Sequence, residues 1–157
     1  MNVMNITETY RITDLLRRAF DGTNAWHGPS IIETISGLKL EETINQVADS
    51  HNVAELIEHM IAWRTFAIKK LQGEEAYDVL EEINFAKVTA MTQEMWQDMM
   101  QRLYQTQDDF LRILSQTQDE KLAETVSGRD YNFYTLLHGI IQHDLYHLGQ
   151  IVMLRKL

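Results

Sequence analysis

No cysteine occurs in the 157 residues, which excludes disulfides, thiolate metal ligands and a cysteine nucleophile. Such a composition fits a reducing cytoplasm. Proline is nearly as scarce. Pro29 stands alone, so long helices can run without the breaks that a missing backbone N–H imposes. A basic excess is also lacking: net charge is −9, and the basic residues form no dense cluster. Nucleic acid and other polyanions are therefore not expected partners. No stretch approaches the ~20 apolar residues of a membrane span. Met1-Asn2-Val3-Met4-Asn5-Ile6-Thr7 has neither the basic nor the apolar region of a signal peptide. The expected location is the cytoplasm, with no membrane partner.

Apolar residues make up 45% of the chain, a globular value, and the length is that of one domain spanning residues 1–157. Their spacing is helical. Tyr10, Ile12, Leu15, Leu16, Ala19 and Phe20 form one stripe that stops at Gly22. The irregular stretch 21–50 carries Pro29 and three glycines, with short helical turns expected near 31–35 and 41–47. A second helix opens at Asn52, whose side chain can cap while Glu55 completes a capping box; Val53, Leu56, Ile57, Met60, Trp63, Ala67 and Leu71 form its stripe, closed by Gly73. Residues 74–90 are polar and unperiodic, long enough to cross the length of a bundle. A third helix is expected over 91–115 with Met95, Trp96, Met99, Leu103, Phe110 and Leu114 on one face. A fourth, over about 130–155, carries Leu136, Leu137, Ile140, Leu148, Ile151 and Leu154. The expected fold is all-α, a four-helix bundle with a long crossover between its second and third helices.

Chemistry concentrates in the last of these helices. His143 and His147 stand at i and i+4, about 40° apart in helical phase and one turn along the axis. Two core histidines hydrogen-bonded to other groups are the commoner reading of such a pair. Against it, buried imidazole nitrogens left unsatisfied cost about 1–3 kcal/mol each, and one shared divalent metal ion satisfies a nitrogen of each ring. His59, between Leu56, Met60 and Trp63, is the natural third ligand from another helix. His51 is a weaker candidate, about 80° round and roughly 12 Å along the axis, and His138 is about 140° out of phase with His143. His27 lies in a loop. Asp144 projects about 100° from His143 and reads as a solvated or cap-pairing carboxylate. Glu55, one turn before His59, is a candidate to orient it.

The run Leu137-His138-Gly139-Ile140-Ile141-Gln142-His143-Asp144-Leu145-Tyr146-His147-Leu148-Gly149-Gln150-Ile151 resembles the last-helix signature of the DinB-like (YfiT-like) metalloenzymes. His51 to Arg64 is similar to that family's histidine-bearing second helix, and Ala25-Trp26-His27-Gly28-Pro29-Ser30 to a loop of one branch. Asn52 departs from that branch, which often has serine there; asparagine caps equally well. The resemblance implies a bundle with a crossover and a metal held by His59, His143 and His147, with Glu55, Trp63, His51 and His27 near the ligands or the pocket. It also implies a homodimer and a small-molecule substrate. Some relatives transfer low-molecular-weight thiols such as bacillithiol, mycothiol or glutathione, and one branch isomerises maleylpyruvate.

Three protein nitrogens would leave an open position on the metal, the arrangement of a catalytic rather than a structural site. Zinc is the first expectation; nickel, iron and copper also suit three imidazoles. The expected function is that of a metal-dependent transferase or hydrolase, with a low-molecular-weight thiol as cosubstrate. The alternatives are a non-catalytic, dimeric metal- or ligand-binding module and a structural bundle with buried histidines.

Overall fold

The computed structural model describes residues 6–23 and 25–156. Seven α-helices lie among them: α1 (Glu8–Phe20), α2 (Ile31–Ile35), α3 (Leu40–Thr43), α4 (Val53–Leu71), α5 (Glu81–Asn84), α6 (Gln93–Leu114) and α7 (Phe133–Leu154), with a 3-10 turn at Asp119–Ala123. No strand occurs among the described residues, only an isolated bridge between Thr125 and Asn132. No described helix is long and apolar enough to cross a membrane.

Side-chain caps set the helix starts. Thr7, Ser30, Asn52, Thr92 and Asn132 each accept a backbone N–H two or three residues into the following helix. At Asn52 the expected cap forms, but the capping box does not close. The Glu55 carboxylate turns away to His51, the Val88 N–H and Lys87. α1 ends where Gly22 brings the chain against the last turn; a Cβ there would lie 2.6 Å from the Arg18 Cα.

Side-chain pairs fix the directions of the long helices. Glu58 of α4 meets Arg102 of α6, and Arg64 meets Thr106 and Gln107, so these two helices run the same way. Their connection, 72–92, therefore returns along the molecule. α7 runs opposite to α4, with His59 beside His147 and Trp63 beside His143.

The expected stripes are largely buried, with Tyr10, Leu15 and Met95 the exceptions left exposed. Two apolar clusters form the core. One gathers Leu16, Phe66, Phe110, Leu137 and Ile140; the other gathers Phe20, Ile57, Met60, Leu103, Leu148 and Ile151. Between them along the helices lies a polar layer. Arg64, 1% exposed, donates to the Asp144 carboxylate at 2.5 Å, to the Thr106 hydroxyl at 2.9 Å and to the Gln107 carbonyl oxygen. Its guanidinium stands 5.1 Å from the Phe20 ring and 5.4 Å from the Phe110 ring. Asp144 is thus fully buried and ion-paired, which corrects the reading of it as a solvated or cap-pairing carboxylate.

Candidate metal centre

Because α4 and α7 are antiparallel, the stripe that buries Ile57, Met60, Leu148 and Ile151 also turns His59, His143 and His147 toward one seam. Their Nε2 atoms converge: His143 lies 2.9 Å from His59 and 3.1 Å from His147. Ligand atoms of the three rings all fall within 4.8 Å of one another, a group that can hold a metal ion.

Each ring is oriented by its other nitrogen or by its neighbours. His59 Nδ1–H donates to the Asn84 carbonyl, and His147 Nδ1–H donates to Gln150 Oε1 at 2.8 Å. Protons on Nδ1 leave Nε2 as a lone pair on both rings, the tautomer a metal ligand requires. Burial, joined by the neighbouring imidazoles and opposed by the Asn84 bond, pushes His59 down to about 4. Burial likewise lowers His147. Both rings are therefore neutral at pH 7, again the ligand form. The three facing Nε2 atoms cannot satisfy one another, because a proton on His143 Nε2 serves only one of its two neighbours. A shared cation satisfies all three, so the donor set fits a divalent metal. His143 Nδ1 is buried without a partner among the described residues, as is Asp144 Oδ1, 4.0 Å away.

Phe85 closes one side. It stacks on His59 at 3.7 Å between centroids and on His51 at 3.8 Å. Trp63 stands edge-on to His59 and His143, its indole N–H bonded to Asn84 Oδ1. Trp63 is thus beside the triad. His51 is not: the Phe85 ring separates it from His59. Glu55 does not orient His59, the Asn84 carbonyl does. Instead Glu55 accepts from His51 Nδ1 at 3.0 Å. Burial alone would raise the Glu55 carboxyl, but the bonds from His51, Val88 and Lys87 hold it below the ordinary carboxylate range. His27 is exposed and lines a separate cavity with Pro29, Leu145 and Val152. His138 lies 3.4 Å from Glu8, away from the seam.

Asn84, Phe85 and Gln150 are the contributors that sequence reasoning missed. The first two lie in an unperiodic connection that carries no positional signal. Gln150 was readable in principle, since it follows His147 by three residues and shares its helical face.

Cavities flank the triad along the α4–α7 seam. One of about 300 Å³ is walled by Trp63, Tyr131, Leu136, Gly139 and Ile140 and reaches His143. Another, about 570 Å³, lies beyond His147 and is lined by His51, Leu56, Tyr146, Gly149 and Gln150. Searches of curated proteins and of solved structures return no match. The family model described as the DinB superfamily matches residues 15–151, most of the chain, and the chain belongs to the DinB superfamily.

Proposed function

We propose that His59, His143 and His147 hold one divalent metal ion, zinc in the first place with nickel or iron as alternatives, and that the protein is a metal-dependent enzyme acting on a small molecule. The observation that carries this reading is the convergence of three Nε2 atoms while Nδ1 of His59 and of His147 is engaged with a fixed acceptor. Such an ion, when bound, polarises a carbonyl or lowers the pKa of a coordinated water or thiol toward neutrality. The chain supplies the rest. Asn84 and Gln150 hold two ligands in the right tautomer, Phe85 and Trp63 exclude water from one flank, and the seam leaves space beside the triad.

With no cysteine in the chain, a sulfur nucleophile has to arrive on a cosubstrate. A low-molecular-weight thiol transferred to an electrophile is the reaction we propose, in a homodimer of the cytoplasm. The test uses protein purified without a histidine tag. Metal analysis is expected to give one ion per chain in the wild type, and at least ten-fold less in His59→Ala and His143→Ala. Equal metal in these variants would overturn the triad. Thiol-dependent consumption of an electrophile, abolished by chelator, is expected in turn. Metal without activity across several thiols and esters would leave a binding module instead.

A further inference from the structure

Two glycines, Gly139 and Gly149, sit inside α7, where glycine weakens a helix relative to alanine. Neither occupies a left-handed conformation, and a Cβ built on either meets no atom within 4 Å. A turn or a close backbone approach therefore accounts for neither. Each instead forms the floor of a cavity, and the two cavities lie on opposite sides of the histidine triad. Gly139 is one helical turn before His143, so any larger side chain there would project into the space that leads to the triad.

The cavity over Gly139 has a distinct chemistry. Its walls are Trp63, Tyr131, Leu136 and Ile140, with Thr135 at the side, and no charged side chain lines it. The Trp63 indole N–H is already taken by Asn84, so the tryptophan offers ring rather than donor. A carboxylate or phosphate lodged between these walls, away from His143, would lose water and meet no cation, whereas an apolar group gains from leaving water. At about 300 Å³ the space is at the lower end of ligand pockets, ~300–1,000 Å³, and holds a ring or short chain rather than a peptide.

We propose that this cavity binds the uncharged apolar part of a small molecule, an aromatic ring or short hydrocarbon chain, with its other end directed to His143. That this molecule is the substrate rests on the metal reading; the binding itself does not. The test follows the Trp63 indole N–H resonance of the labelled full chain, assigned through Trp63→Phe, during titration with toluene and with benzoate as the matched anion. Toluene is expected to shift the Trp63 resonance saturably, and in chelator-treated protein, where no ion can hold the carboxylate, benzoate is expected to bind at least ten-fold more weakly. Gly139→Leu is expected to abolish the toluene response. Gly139→Ala, which adds only a methyl and favours the helix, is expected to weaken toluene less than leucine does while leaving the fold intact. A Trp63 resonance that does not saturate, benzoate binding as tight as toluene in chelator-treated protein, or unaltered toluene binding in Gly139→Leu overturns the proposal. Metal content is read on the same samples. Toluene binding in protein that holds no metal supports the pocket and removes the metal reading, whereas metal without toluene binding overturns the pocket alone.

Discussion

Truncating Arg64 would leave the Asp144 carboxylate buried with no cation, because both side chains are 1% exposed and Asp144 Oδ1 already lacks a partner among the described residues. Breaking a buried pair from one side costs about 3–5 kcal/mol, so Arg64→Ala should lower the unfolding free energy by that order in urea denaturation. Replacing both partners with apolar residues, Arg64→Met with Asp144→Leu, should recover much of the loss. A double variant as unstable as Arg64→Ala would show that Arg64 acts through Thr106 and Gln107 rather than Asp144. Helical phase located Asp144 correctly, a quarter-turn from His143. It carried no information on what faces that quarter-turn. Arg64 was open to detection: α4 is buried on nearly every face, so an arginine in its middle has no route to solvent and needs an anion within reach.

At the scale of elements, periodicity found α4, α6 and α7 to within about three residues, and Asn52 marked the start of α4. The connection 72–92 is where the reading ran out. Its path depends on what it touches, and those contacts are long-range: Asn84 with His59 and Trp63, and Val88 with Asn52 and Glu55. The N-terminus of α1 is held in the same way. Asp119 accepts the backbone N–H groups of Glu8 and Thr9, at 2.8 and 2.9 Å, and the Thr9 hydroxyl. Those bonds, the two to backbone first, lower the Asp119 carboxyl below its ordinary value of 3.8. The stabilising charge is therefore fully present above about pH 4 and is lost as pH falls through the depressed folded value. Thermal melts of wild type and Asp119→Ala should differ at neutral pH with the variant lower, and the gap should narrow steadily below pH 4. A gap that stays constant into strong acid would mean that the aspartate charge contributes nothing there.

Over the whole molecule, a charged layer separates two apolar clusters, and the histidine triad lies beside that layer, with His143 and His147 flanking Asp144 in sequence. His59 is far along the chain from the other two histidines: 84 positions separate it from His143. This separation has a consequence in time. During synthesis His59 is made long before the helix that completes the triad, and no stretch of chain ending before α7 holds all three histidines. Under the metal reading, ion capture is therefore the closing event of assembly, following the docking of α7 on α4. Interactions formed after the folding barrier slow unfolding and leave the folding rate nearly unchanged. Stopped-flow experiments should accordingly show added zinc lengthening the unfolding time of the wild type by ten-fold or more, with little change in refolding and no effect on His143→Ala. Acceleration of refolding by the ion would place the triad inside the nucleus instead, with the middle and last thirds of the chain meeting early.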